Sequence, residues 1–525
     1  MLLHPVAGIE QVSMTINEPG QNELTAKVDV LPGLDRFTDR GKPAIAYSKA
    51  VTDPRGQVRG HGIESQVLKK DVVHMGAGSA VKSVLRFRHI LTPDGIERHK
   101  RIGIDGQGRI VSVTDEHDDV FDGWLALPGM PNAHSHSFQR GLVGSGETAQ
   151  GEDSFWSWRE AMYALARNVT PDDIRSIAAQ AFADMLRAGF TSVAEFHYLH
   201  HLPDNSPGPE MARAVIDAAE TAGIRMVMLP VFYQDGGFGQ PHEERQGRFV
   251  HQHMEDYLRL LESLRDVPLG LAPHSVRAVT PSRIAELDAA ARGILGDSFP
   301  RHIHISEQRS EVEACVEALK MTPIQALADS VYLDQNWNLV HATHATRDEL
   351  ELMLETQATA VLCPLTEAYL GDGVFPATAF VSNGGITAIG SDSNVRIDAI
   401  EELRLLEYGQ RLTLERRACL ATGDGLGVPM WTRAAAGGAQ ALAQDVGAIT
   451  KGAWADLVVI DPSSPPLLGL EPKAAMDALI TAGSASSIGA VYVGGRRLVE
   501  AGRHLADVSI ARGFASAHQR LKEEG

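Results

Sequence analysis

Through the middle of the chain, short all-apolar runs alternate with longer segments whose apolar residues recur every three or four positions. The recurring segments predict helices over about 171–188, 209–222, 251–265, 281–294, 309–319 and 346–355. Two of them share a start signal, Thr170-Pro171 and Thr280-Pro281, which recurs at Thr322-Pro323, with Thr as N-cap and Pro at the first helical position. The apolar runs predict strands: the run Trp124 to Met130 that leads to His134, then Thr191 to Phe196, Arg225 to Phe232, Leu269 to Ala272, His302 to Ile305, Asn338 to Val340, Ala360 to Cys363 and Ile386 to Ile389. Eight strands alternating with helices over about 300 residues predict an α/β fold, a TIM-like (β/α)8 barrel, with its chemistry at the C-terminal strand ends.

The flanks follow a different period. Ser83 to Arg88 and Arg109 to Val113 alternate apolar and polar, with Asp105-Gly106-Gln107-Gly108 as a turn between them. A similar set returns at Ala455 to Ile460 and Ala490 to Val493, before Gly494-Gly495. The reading is a small β-sandwich domain built from both chain ends, 81–127 and 441–515, enclosing a barrel over 128–440. Residues 1–80 show little periodicity, and Gly76 to Ala80 reads as a linker. Two readings stand for this segment: a poorly ordered extension, or residues added by an upstream start.

Composition narrows the function. A net charge of −19 over 525 residues argues against nucleic acid and against anionic membrane surfaces as partners. The cysteines Cys315, Cys363 and Cys419 are too few and too scattered for a disulfide framework, which fits a reducing cytoplasm. No apolar run is long enough for a membrane span, and the N-terminus lacks a signal-peptide core.

The candidate chemistry lies where the strands end. His134 and His136 share one strand face, so both rings can reach one ion. His304 ends strand 5 with Glu307 three residues on, His341 ends strand 6, and Asp392 follows strand 8. Imidazoles plus a carboxylate suit Zn²⁺ with an open position for water. The ligand set read here is His134, His136, His304 and Asp392; His341 is either a fifth ligand or a partner of the bound water. No lysine follows strand 4, so one ion per subunit is expected rather than two. Asp392 has a plainer reading as a helix N-cap within Ser391-Asp392-Ser393-Asn394. His302 reads as a hydrogen-bonded core residue, and His251 and His253 as surface residues at a helix start. The stretch Phe196 to His201 reads as a loop contributing one or two substrate contacts.

Taken together, the His-x-His, the two later histidines and the aspartate resemble the amidohydrolase superfamily in its mononuclear deaminase branch. Leu127 to Asn132 with His134 to Arg140, Phe155 to Glu160, Ser192 to Tyr198, Ala272 to Val279, His302 to Gln308 and Gly371 to Ala377 resemble, more narrowly, the formimidoylglutamate deiminases of histidine breakdown. The resemblance spans about residues 82–515; residues 1–80 have no counterpart. It implies hydrolysis of N-formimidoyl-L-glutamate to N-formyl-L-glutamate and ammonia. It implies that Gln139, Tyr198, His274 and Arg277 hold this small dicarboxylate amidine, with Arg159 as a further contact across the interface of a homodimer. Arginine forks suit carboxylates.

On this reading Asp392 accepts the proton of the attacking water, Glu307 relays a proton to the imine nitrogen, and His341 stabilises the attacking oxygen. Two rivals remain: a deaminase of a purine or pterin ring using the same metal site, and a non-catalytic assembly protein on the same scaffold.

Overall fold

A computed structural model of the chain describes residues 80–145 and 154–524, apart from the side chains of 154–159 and 524. The expected extension and its linker up to residue 79, and the side chain of Arg159, lie outside the described residues.

Eight parallel strands close the barrel. They are β1 (Met130–Ser135), β2 (Phe190–His197), β3 (Arg225–Phe232), β4 (Ala272–Pro273), β5 (Arg301–Ile305), β6 (Trp337–His341), β7 (Thr359–Leu362) and β8 (Thr387–Ile389). β1 to β4 form one sheet and β5 to β8 another. Parallel bridges Leu271–Arg301 and Ser275–His304 join the halves on one side, and Ser135–Asp392 joins them on the other. All residues of β1, β2, β5, β6, β7 and β8 are buried, as expected of parallel strands covered by helices. β4 is shorter than the predicted Leu269 to Ala272, because Leu269 and Leu271 make only isolated bridges.

Helices begin close to their predicted starts. Thr170 caps Pro171–Arg187 through a capping box, whereas Thr280 makes no side-chain cap bond. The segment predicted as a helix from 251 becomes helical only at Met254.

Strands from both chain ends form one eight-stranded sheet. Its N-terminal members are Ser83–Thr92, Gly95–Ile104, Ile110–Asp115 and Gly123–Pro128; the others are Leu457–Ile460, Ile488–Val493, Arg496–Glu500 and Arg503–His504. Phe87, Ile102, Ile104, Leu457 and Val459 belong to a core cluster separate from the barrel's. The helix Gly427–Leu442 packs against the barrel strands closely enough that a Cβ at Gly437 would lie 2.1 Å from the Thr387 carbonyl oxygen. His302 donates from Nε2 to the Ala441 carbonyl of this helix (2.8 Å), which gives it the structural role expected of it.

Candidate active site

The strand ends converge on one cavity. It is lined by His136, Gln139, Tyr198, His274, Arg277, His304, Glu307, His341 and Asp392, with His134 fully buried beside them. Backbone geometry turns these side chains inward. Ser306, His341, Ala342, Asp392 and Asn394 all have left-handed φ, between 44° and 68°, a conformation non-glycine residues adopt at a cost and which clusters at functional sites. Gly390 lets β8 approach β1, since a Cβ there would lie 2.8 Å from the His134 carbonyl oxygen.

The Nε2 atoms of His134, His136 and His304 lie 3.0, 3.1 and 3.3 Å apart in pairs. Asp392 Oδ1 stands 3.2 Å from His136 Nε2 and 3.5 Å from His134 Nε2. Donors about 2.0–2.1 Å from a tetrahedral Zn²⁺ would be spaced about 3.4 Å apart. The tautomers support the same reading. His136 Nδ1 faces the Phe196 carbonyl at 2.8 Å and His304 Nδ1 faces the His274 carbonyl at 3.1 Å. Each Nδ1 therefore carries a hydrogen and each Nε2 presents a bare lone pair, the usual outer arrangement of metal-ligating histidines. Lone pairs packed this closely repel unless a cation lies among them, so the residues fit a divalent ion. Burial lowers the His134 pKa to about 3 and, with neighbouring imidazoles, lowers that of His304 well below its ordinary value. Burial works to raise Asp392, but the neighbouring His134 and His136 hold it well below the usual carboxylate range.

Asp392 is not the N-cap of the next helix. Asp398 takes that place, accepting from the backbone N–H groups of Ile400 and Glu401. The β1–β8 seam is latched by side chains. Asn132 Nδ2 donates to Ser391 Oγ, and Ser391 Oγ to Asn394 Oδ1, both at 2.6 Å. Asn394 Nδ2 donates to Ser135 Oγ at 3.1 Å. Glu195, buried on β2, completes the latch by accepting from Ser135 Oγ and from the Ser137 N–H at 2.7 Å each, and so brackets His136.

His341 faces the other way. Its Nδ1 is 3.3 Å from Glu367 Oε1, and its Nε2 is 3.7 Å from Glu307 Oε1 and 3.8 Å from Asp392 Oδ2. Burial opposes charge on the ring, but Glu307, Glu367 and Asp392 overcome it and raise the pKa to about 10. Among the described residues, one donor group unites His134, His136, His304 and Asp392; a second unites His341, Cys363 and Asp392.

On the substrate side, Gln139 Nε2 donates to the Tyr198 hydroxyl at 2.6 Å. Tyr163, Tyr233 and Phe249 add aromatic walls. Arg277 makes no ion pair and no hydrogen bond with the described residues. Burial acts against its charge, but Glu311, Tyr233 and Glu307 more than offset this and raise its pKa.

A sequence model of the Amidohydrolase family matches residues 125–498. The chain belongs to the amidohydrolase family. A relative from Pseudomonas aeruginosa, named formimidoylglutamate deiminase, is 44% identical to this amidohydrolase over 82% of the chain and 98% of its own length. A 5-methylthioadenosine/S-adenosylhomocysteine deaminase of Halobacterium salinarum is 30% identical over 69% of the chain and 79% of its own length. The crystal structure of an amidohydrolase from Brucella melitensis has a TM-score of 0.78 and 40% identity, covering 84% of this chain and all of that one (100%). A zinc-bound adenosine deaminase of Xanthomonas campestris shares the fold, with a TM-score of 0.70 and 20% identity over 84% of this chain and 98% of its own.

Some histidines and several carboxylates of this amidohydrolase depart from the sequence reading. His251 is buried, not on the surface: it precedes the helix, and its N–H donates to the Tyr233 carbonyl at 2.9 Å. His253 is exposed as expected. His197 ends β2, while His200 and His201 donate to the Val231 and Val250 carbonyls at 2.7 and 2.8 Å. Of the Phe196 to His201 stretch, Tyr198 alone lines the cavity. Glu195, Glu311 and Glu367 went unnoticed, although a charged residue inside the apolar run Thr191 to Phe196 was a readable signal for Glu195.

Proposed function

We propose that this amidohydrolase is a formimidoylglutamate deiminase, hydrolysing N-formimidoyl-L-glutamate to N-formyl-L-glutamate and ammonia in histidine degradation. The observation that carries this reading is Arg277. It is a largely buried guanidinium that feels Glu311 and Glu307 but makes no direct ion pair among the described residues, in the same cavity as the His–Asp cluster. A buried cation so placed favours an anionic substrate. The sequence likeness to the Pseudomonas aeruginosa enzyme supports the same substrate.

His134, His136, His304 and Asp392 would hold the ion, with zinc favoured by the donor set and one ion per subunit. When bound, it supplies Lewis acidity and lowers the pKa of a water molecule toward neutrality. The protein's groups do the rest. Asp392 Oδ2, turned toward His341, accepts the water's proton. Glu307, on the cavity wall, relays a proton to the imine nitrogen so that ammonia departs. His341, charged, stabilises the oxygen as negative charge develops on it. Gln139, Tyr198, His274 and Arg277 hold the dicarboxylate, and Arg159 adds a contact from the partner subunit of a homodimer. No helix among the described residues is long and apolar enough to cross a membrane, and a cytoplasmic location is part of the proposal.

The aromatic walls favour a second reading, deamination of a purine or pterin ring stacked among Tyr163, Tyr198, Tyr233 and Phe249. An ammonia-release assay with N-formimidoyl-L-glutamate beside guanine separates the two. Release from the amidine alone is expected; release from guanine alone would sink the proposal. Arg277→Ala should raise KM for the amidine by about 10–100-fold with kcat little changed, the weight of a lost charged hydrogen-bond pair. Glu307→Gln should lower kcat at least roughly tenfold.

A further inference from the structure

We infer that Cys363, His341 and Asp392 form a second, inhibitory metal position selective for soft divalent ions, sharing Asp392 with the first. The inhibitory part rests on the hydrolase reading above; the binding part does not.

Three different donors meet there from the ends of three adjacent strands. A ligand atom of His341, of Cys363 and of Asp392 all lie within 4.8 Å of one another. Asp392 is suited to bridge. Its Oδ1 faces His134 and His136, while its Oδ2 is 3.8 Å from His341 Nε2. The Cys363 thiol is 0% exposed and makes no hydrogen bond among the described residues. Glu367 fixes it relative to His341, because the Glu367 Oε1 that accepts from the Cys363 N–H at 2.9 Å also lies 3.3 Å from His341 Nδ1. With Glu307 3.7 Å from His341 Nε2, three carboxylates crowd one imidazole, a field that favours a second dication.

Sulfur, nitrogen and oxygen together suit Zn²⁺ and Cd²⁺ rather than Mg²⁺ or Ca²⁺. An ion entering through the cavity meets His341 and Asp392, which line it, and the thiol behind them. Coordination exchanges the Cys363 S–H bond and the acidic ring N–H bond of charged His341 for bonds to the metal and releases two protons to solvent, so binding strengthens as pH rises. It also removes His341 and Asp392 Oδ2 from the reaction, and turnover stops.

The test titrates zinc-loaded enzyme with Cd²⁺ while following ultraviolet cadmium–thiolate absorption and ammonia release from N-formimidoyl-L-glutamate. The first position contains no sulfur, so cadmium exchanging into it gives no thiolate signal. Absorption should saturate at one site per chain as activity falls. Cys363→Ser should abolish the absorption and raise the inhibiting cadmium concentration by about 10–100-fold, the range for a lost metal-site partner. Cys315→Ser and Cys419→Ser should keep both effects. His341→Asn, read by absorption alone, should weaken binding similarly and serves if the serine variant does not fold. Thiolate absorption that survives in Cys363→Ser, or inhibition unchanged there, overturns the inference. Absorption without any ammonia release from this substrate would sink the substrate assignment and leave the metal position standing.

Discussion

His304, next to last in β5, and His341, last in β6, sit one register position apart on neighbouring strands, and their rings stack 5.7 Å apart at an interplanar angle of 11°. The protein nevertheless sets one neutral and the other positive. On the His304 side the group behind the ring is a backbone carbonyl, which fixes the tautomer and leaves a neutral lone pair facing His134 and His136. On the His341 side it is the Glu367 carboxylate, joined by Glu307 and Asp392, and the ring holds its proton up to about pH 10. Two identical side chains thus become a bare lone pair suited to a metal and a cation because their outer partners differ. The pocket has a neutral-imidazole half, held by carbonyls and the β1–β8 latch, and a carboxylate-rich half on the segments that follow β5 and β7.

The largest effect comes from breaking the first half. His304→Ala should abolish stoichiometric metal binding, read by elemental analysis, and lower ammonia release by more than about 100-fold, beyond what losing an outer partner costs. Full metal content in that variant would remove His304 from the ligand set. The second half should respond differently. Glu367→Gln should keep the metal yet lower kcat by roughly 10–100-fold at neutral pH, within the range of acid–base and charge-stabilising groups. The sign of its pH effect follows from the charge. Without Glu367 the His341 pKa falls from about 10, so the alkaline limb of the rate profile should move to lower pH. An unmoved limb would show that Glu367 does not govern His341. Smaller again is Glu195→Gln, which leaves every ligand in place but presents a donor where Ser135 Oγ or the Ser137 N–H now donates. Metal affinity should drop about tenfold with kcat of the loaded enzyme preserved.

The same division explains what could be read from the sequence. Strand ends are legible where the apolar run stops as the chemistry starts, so His304, His341 and Asp392 stand out; the run before His134 is mostly a strand of the end sheet, Gly123–Pro128, and the barrel strand is the less apolar Met130–Ser135. Whether His341 joins the ligands could not be read, because its environment depends on Glu367, which the following helix turn brings back toward it. His251 differs from the surface position expected because the helix starts only at Met254, and the backbone N–H of His251 bonds the Tyr233 carbonyl ahead of it. β4 fell short of its apolar run because Leu269 and Leu271 meet their neighbours only at single bridges, and an apolar run records burial rather than pairing.

The carboxylate crowding of the second half also has a signature in stability, the smallest effect expected here. Asp372 accepts from Gln308 Nε2 at 3.1 Å through Oδ1, while Oδ2 is buried without a hydrogen-bond partner. Burial first, and then Glu307, raise its pKa to about 8. A carboxyl raised in the folded state keeps its proton there while the unfolded chain releases it near pH 3.8, so folding loses stability as pH climbs from about 4 to about 8 and the loss levels off above. Asp372→Asn keeps the shape and removes the ionisation. The variant and the parent should melt together near pH 4, and by pH 9 the variant should melt higher by roughly 2 °C or more, the shift that about 1 kcal/mol produces in larger domains. A melting difference that stays constant from pH 4 to pH 9 would mean that Asp372 is not held neutral by its neighbours, and that the carboxylates around His341 are less crowded than their positions imply.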